Sequence, residues 1–383
     1  MSQPKPSPGP PPSPRRLLLL SKTSSYRAGA FAEAARRLGV EIVYGVDAPP
    51  PLAAQWKKTL GLPFAEPEEA VRQMVAFARR KPVQAILAAD DSATVLAAMA
   101  AEALGLPHNE VRAAQAARNK YQMRRLFAAA GVPCPPFQRH PLDADLAAVC
   151  DAVPYPCVVK PLNLSGSRGV IRADDPVQFE AAFRRAAALV RRSGAPPEEA
   201  YLLVEGFIPG VEVALEGLLD DGQLTVLALF DKPDPLDGPF FEETLYVTPS
   251  RLPAAAQTAI ADCTARAVAA LGLRHGPIHA ELRLNEAGPW MLEVAARSIG
   301  GLCARTLRFA DEISLEELII RQALGMEMGN IARPSRAEGV MMIPIPEAGL
   351  LEGVSGVAEA EAVPGVTEVE ITAPLHYPLV PLP

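Results

Sequence analysis

Residues 157–170 read CVVKPLNLSGSRGV. Cys157 to Lys160 is an apolar run of strand length that ends on a cation, and the Gly/Ser-rich loop Asn163 to Val170 follows at once. A short apolar run bounded by turn residues reads as a buried strand. Gly166 and Gly169 permit backbone angles that larger residues resist, and loops of this kind turn their N–H groups toward anions. A lone lysine is more often a solvated charge, and a lone SGSRG more often a turn. The position of Lys160, at a strand end directly before that loop, favours a phosphate-binding device.

Outward from this stretch lies an ordered set of motifs. Upstream, Lys120 stands in NKYQMR (119–124), at the start of a helical stretch expected over 115–130. Downstream come VEGFIPGVE (204–212) and a hairpin expected around NEAG (285–288), whose strands carry HAEL (279–282) and MLEV (291–294). Arg297 and Gly300-Gly301 close the set. A carboxylate in an apolar strand is costly unless it is paired or holds a cation. Glu281 and Glu293, on adjacent strands, fit Mg²⁺, which takes oxygen ligands shared with phosphates. The competing reading is a pair of salt-bridged glutamates. Two lysines on separate elements suit a triphosphate, which they neutralise from two sides.

The collinear set resembles the ATP-grasp superfamily over about residues 119–301, and within it most resembles the L-amino acid ligases, which join a carboxylate to an amine. The segment DKPDPLDGPFFEE (231–243) and MMIP (341–344) look like that branch. The resemblance implies an α/β and α+β architecture: a Rossmann-like N-terminal domain preceding the ATP-grasp fold, a lid subdomain and a C-terminal catalytic domain. It implies that ATP and Mg²⁺ (or Mn²⁺) are the cofactors. Lys120 and Lys160 would hold the α- and β-phosphates, with Ser165, Gly166, Ser167 and Gly169 folding over them as a flap. Glu205, Phe207 and Ile208 would form the adenine hinge, read through backbone groups, with Val158, Ile208 and Leu292 as apolar clasps or plain core. Glu212 would accept the ribose hydroxyls. Arg297 would meet the substrate carboxylate and the developing acyl phosphate, and Gly300 and Gly301 would open a helix whose N–H groups face the oxyanion. Lys232, Glu242, Glu243 and Arg305 are weaker substrate candidates, the acidic pair facing an ammonium or simply solvated. Many ATP-grasp enzymes carry asparagine two residues after the second glutamate, where this chain has Ala295, and an aspartate where it has Asn119.

The implied reaction is ATP-dependent amide or dipeptide formation through an acyl phosphate, releasing ADP and phosphate. The alternatives are a biotin-carboxylase-like or purine-pathway-like ligase, or a non-catalytic ATP-binding regulator. Substrates would be a small carboxylate and an amine, both amino acids. Neither nucleic acid nor membrane is expected as a partner, and a homodimer is left open.

The 383 residues carry a net charge of -7, which disfavours a general nucleic-acid binder. Five scattered cysteines without a C-x-x-C argue for a reduced, cytoplasmic protein. No Walker loop, no G-x-G-x-x-G after the first strand and no G-x-S-x-G elbow occurs. Among eight lysines, Lys120 and Lys160 fall at the two phosphate positions. Residues 1–14, with seven prolines, read as a disordered tail. Residues 15–112 read as an α/β domain of alternating strands and helices, 113–205 as the lid region, 206–334 as the catalytic domain, and 335–383 as a small β-rich lobe that reads as shortened. His275 and His279 are expected to pack or bond locally, since i and i+4 on a strand lie ~13 Å apart.

Overall fold

The structure, a computed structural model, describes residues 14–194 and 196–382. The expected proline-rich tail lies, up to residue 13, outside the described residues. The described residues divide into two compact units, one of residues 14–108 with 313–330, the other of 109–312 with 331–382.

The first unit is built on a parallel sheet. Its elements are β1 (Arg16–Ser21), α1 (Ala28–Leu38), β2 (Glu41–Asp47), α2 (Pro50–Ala53), β3 (Thr59–Leu62), α3 (Pro67–Arg80), β4 (Ala85–Ala88) and α4 (Thr94–Leu104), with strand order β3-β2-β1-β4. Leu17 to Leu20 on β1 are completely buried. That is why four leucines in a row form a strand here: a strand between parallel neighbours is covered on both faces and needs no polar alternation. The Asp90 side chain bonds no helix N–H; it accepts from Lys22 N and from the Ser92 hydroxyl, and a 3₁₀ turn (Asp91–Ala93) leads into α4. The sequence reading omitted α2 and β3, whose four residues each are too short to show a period.

The helix Leu315–Ala323 also belongs to this unit, where it packs on α1 and where Arg37 meets Glu317 at 3.6 Å. This corrects its assignment to the catalytic domain. Its capping box, Ser314 with Glu317, and its buried Leu315, Leu318, Ile319 and Ile320 were legible, but not which sheet they serve.

The second unit is built on two larger antiparallel sheets, and the expected border at 205/206 falls inside it. It opens with α5 (Val111–Arg118) and α6 (Lys120–Ala129), which replace the single helix expected over 115–130. The break is Asn119, whose side chain accepts from Tyr121 N and Gln122 N at 3.1 Å each. The lid contains β5 (Phe137–Pro141), α7 (Leu146–Ala152), β6 (Cys157–Pro161), β7 (Ile171–Ala173), α8 (Pro176–Arg192) and β8 (Tyr201–Gly206), with strand order β5-β8-β6-β7. Its core joins Val159, Ile171 and Leu202 of the sheet to Phe179, Phe183 and Val190 of α8.

The larger sheet has six strands. They are β9 (Val211–Asp220), β10 (Gln223–Lys232), β11 (Leu245–Thr248), β12 (Gly276–Asn285), β13 (Gly288–Ala295) and β14 (Glu338–Met341), ordered β13-β12-β9-β10-β11-β14, with α9 (Ala254–Leu271) on one face. The face toward α9 is apolar: Val213, Leu215, Leu229, Ala280, Leu282, Met291 and Val294 share a core with Ile260, Ala267 and Val268. The opposite face carries Glu212, Glu216, Lys232, His279, Glu281 and Arg283, as the period of two requires. The tail differs from expectation: β14 completes the main sheet, and among the described residues beyond it lie one pair of two-residue strands and the short helix Val357–Glu361, largely exposed.

Candidate functional site

The polar face of the six-stranded sheet is organised in cross-strand rows. One row places Lys232, Glu212 and Arg283 side by side on β10, β9 and β12. The next places Ala214, Glu281 and Glu293 on β9, β12 and β13. A third places Glu216, His279 and Ala295 on the same strands. Glu293 reaches this face through a bulge. The register slips between Glu281 and Leu282, so that Glu293 opposes Glu281 while Met291 opposes Leu282, and Leu292 is the extra residue. Met291 and Val294 therefore both enter the core and Glu293 is turned to the polar face, the re-aiming a bulge provides.

Glu281 and Glu293 are thus direct cross-strand neighbours with partly exposed side chains. Side chains so paired lie about 5 Å apart at Cβ, and their oxygens suit a hard divalent cation. Lys120, at the start of α6, points at the same place: its ammonium donates to Leu164 O at 2.8 Å and to Glu293 Oε1 at 3.2 Å. It therefore ties the Gly/Ser loop to the second carboxylate. In that loop Gly166, Ser167 and Gly169 have φ of 66°, 53° and 74°. Such left-handed positions turn backbone N–H groups to one side, and Gly169 also abuts Pro161, where a Cβ would come within 2.9 Å.

Lys160 is anchored differently. Its ammonium pairs with Glu205 Oε2 at 2.7 Å, and the other oxygen of Glu205 pairs with Arg124 Nε at 2.5 Å. Arg124 is fully buried and also donates to Leu292 O at 2.5 Å, next to Glu293. Burial pushes the Glu205 carboxyl up, but Arg124 and Lys160 outweigh it and hold the group below the usual range. So Glu205 contributes its carboxylate, where the sequence reading used only its backbone. Arg124 was overlooked altogether. Its signal was available: an arginine four residues after Lys120 lies on the same helix face.

The hinge residues themselves are committed within the protein. Gly206 N donates to Pro136 O, Phe207 N to Pro156 O, and Ile208 O accepts from Arg283 Nη1 at 3.1 Å. The Phe207 ring lies under the guanidinium groups of Arg172 and Arg283, at 4.1 and 4.9 Å. Val158 and Ile208 are buried, and Leu292 partly so.

Lys232 is held among carboxylates. It is buried and surrounded by Glu243 at 2.5 Å, Glu212 at 2.9 Å and Glu281 at 3.0 Å. These three carboxylates lie close enough together to suggest a cation site of their own, but the ammonium already stands among them. Glu212 is committed likewise, its second oxygen bonded to Arg283 Nε at 3.1 Å, so both oxygens expected for ribose have internal partners. Glu243 titrates high, at about 7, because of burial and the neighbouring Glu281 charge, with Lys232 opposing. Glu281 is held well below the usual carboxylate range: burial opposes this, but Lys232 and His279 prevail. Glu242 stands half-buried beside this cluster in sequence.

On the loop after β13, Arg297 donates to Ser298 O at 3.0 Å. Gly300-Gly301 opens a single 3₁₀ turn, Cys303–Thr306, instead of the expected helix, and Leu302 before it is left-handed at φ 61°. A Cβ on Gly301 would come within 2.7 Å of the Met342 sulfur, so the segment after β14 covers this glycine. Arg305 points away to Glu368, at 2.7 Å, and Glu370 of the tail. His279 bonds Glu216 and Glu281, as local bonding predicted, but with consequences the sequence did not show.

The chain belongs to the ATP-grasp superfamily: residues 153–306 match the ATP-grasp domain and residues 32–108 the ATP-grasp N-terminal domain. Its structure is similar to that of an L-amino acid ligase from Bacillus licheniformis, with TM-score 0.82 and 29% identity, covering 96% of this chain and 90% of that one. The alanine–anticapsin ligase of Bacillus subtilis (strain 168) is 30% identical over 249 residues, 61% of this chain and 52% of that protein. A biotin carboxylase domain from Hydrogenobacter thermophilus shares the fold, with TM-score 0.69 at 16% identity over 96% of this chain and 83% of that one. The chain spans about half the length of the first curated relatives it matches. Among the described residues no helix is long and apolar enough to cross a membrane.

Proposed function

We propose that this protein is an ATP-dependent carboxylate–amine ligase that joins two amino acids, or an amino acid and a related acid, releasing ADP and phosphate. The observation that carries the reading is the convergence of Lys120, the Gly/Ser loop, Glu281 and Glu293 on one face of the sheet. The resemblance to the L-amino acid ligase over nearly the whole chain supports the choice of substrates.

ATP lies between the lid and the six-stranded sheet in this reading. Lys120 and Lys160 neutralise the phosphates, and the Ser165–Gly169 loop covers them with backbone N–H groups. Glu281 and Glu293 would hold Mg²⁺ or Mn²⁺, which supplies charge neutralisation of the triphosphate when bound. Arg297 orients the substrate carboxylate for attack on the γ-phosphate, an in-line transfer in which positioning and charge neutralisation supply most of the catalysis. The resulting acyl phosphate is attacked by the amine, the C–N bond forms and phosphate leaves. In this reading Glu243, whose carboxyl is raised to about 7 by burial and the Glu281 charge, would receive a proton from the incoming ammonium. The five free cysteines are consistent with a cytoplasmic setting and take no part; burial pushes the Cys157 and Cys303 thiols up to about 12.

Amino acids supplied singly and in pairs with ATP and Mg²⁺ are expected to stimulate phosphate release for particular pairs, with a dipeptide mass among the products. Excess EDTA is expected to stop the reaction. Phosphate release that no amino acid stimulates, or that bicarbonate alone stimulates, contradicts the assignment.

A further inference from the structure

Glu216 is the most deeply buried carboxylate on the polar face, and the reaction outlined above makes no use of it. It is completely buried in the middle of β9, yet neither oxygen is idle. Oε1 lies 2.6 Å from His279 Nδ1, and Oε2 accepts from Ile299 N at 3.1 Å. Ile299 stands between Arg297 and Gly300, so this second bond fixes the backbone of the catalytic loop. The other ring nitrogen of His279, Nε2, lies 3.4 Å from Glu281 Oε1, the oxygen that also takes Lys232 at 3.0 Å. One buried carboxylate therefore reaches two parts of the site, the loop directly and the first metal carboxylate through an imidazole.

We propose that Glu216 and His279 are positioning residues for divalent-cation binding: together they set the rotation of the Glu281 carboxylate and its distance from the Arg297 loop. The inference rests on the reading of Glu281 and Glu293 as cation ligands. Ala295 is consistent with it. Alanine cannot ligate, and it is the β13 neighbour of His279 in the row it shares with Glu216. With two carboxylates and no ligand at 295, affinity depends on how firmly those two are held, and partners behind metal ligands commonly change affinity by 10–100-fold. His279 is not itself a ligand here, since each of its nitrogens faces a carboxylate oxygen.

Mn²⁺ binding to the full chain in the presence of ADP, read from the EPR signal of free Mn²⁺, tests this without turnover. His279→Asn keeps a donor toward Glu216 and drops the group facing Glu281, whereas His279→Gln extends an amide toward Glu281. The expected result is Mn²⁺ affinity at least about tenfold weaker in His279→Asn and largely restored in His279→Gln, with unchanged urea midpoints. Wild-type affinity in His279→Asn, or equal losses in both variants, overturns the proposal. Should His279→Asn not fold, Glu216→Gln carries the test: it keeps an acceptor for Ile299 N but withdraws the charge behind the imidazole, and wild-type affinity there overturns the proposal equally. A wild-type chain that binds no Mn²⁺ with ADP is a different failure, of the cation reading itself, and takes this inference with it.

Discussion

Glu293→Ala is expected to lower ATP-dependent phosphate release by a factor of about 10³ or more, equivalent to roughly 4 kcal/mol of lost transition-state stabilisation. The argument has two parts. Glu293 is brought to the polar face by a bulge and set directly opposite Glu281, so its removal leaves one carboxylate where two would hold the cation. The fold should survive, because the side chain is 31% exposed and its partner Lys120 keeps the bond to Leu164 O. A continuous phosphate-release assay with the cognate amino acids, alongside far-UV circular dichroism, checks both parts. Activity within tenfold of wild type in a folded variant removes Glu293 from the site. Lys160→Ala is a poorer probe, since it also strips one of the two cations from a fully buried carboxylate.

Arg124→Leu is expected to destabilise the second unit by about 3–5 kcal/mol, the usual cost of leaving a buried charge without its partner. Glu205 is 1% exposed, and Arg124 completely buried, so water cannot replace the lost guanidinium. Lys160 alone would remain to neutralise Glu205. Replacing both members, as in Arg124→Leu with Glu205→Leu, is expected to recover most of the loss, because buried pairs exchanged for apolar groups are often neutral. Urea unfolding of the four proteins of that cycle measures the coupling. A single Arg124→Leu variant within 1 kcal/mol of wild type shows that the triad does not hold the lid. Because Glu205 titrates below its usual range, its ionised form favours folding: this contribution is present above the unfolded carboxyl value and lost as the pH falls through the lowered one. The Arg124→Leu chain should therefore lose less stability on acidification than wild type.

Much of the fold was legible because its signals are local. The bounds of α3 and α8 follow from proline at the start, basic residues at the end and a 3.6-residue apolar period, all contained in fewer than twenty residues. The two hairpins of the main sheet were marked by DDG and NEAG turns between apolar runs. Elements of four or five residues, such as β3 and β5, were missed because so short a run shows no period. The ordered motifs likewise pointed to the superfamily, since ordering along the chain is a one-dimensional property.

What each of those residues touches was decided in three dimensions. Lys232, Glu212 and Arg283 are up to 71 positions apart, and only the register of β10, β9 and β12 sets them in a row, where Glu212 pairs with both cations inside the protein. The bulge at Leu292 turns Glu293 to the polar face, whereas strict alternation would have put Glu293 on the same side as Met291. The sequence by itself determined the superfamily and the order of the sheets' hairpins, and singled out Lys120 and Lys160 as the phosphate candidates, because these depend on residue type and short-range spacing. The tertiary structure decided which cation each carboxylate meets, Glu212 and Glu281 at Lys232, Glu293 at Lys120 and Glu205 between Arg124 and Lys160, because pairing of buried charges depends on distance across strands.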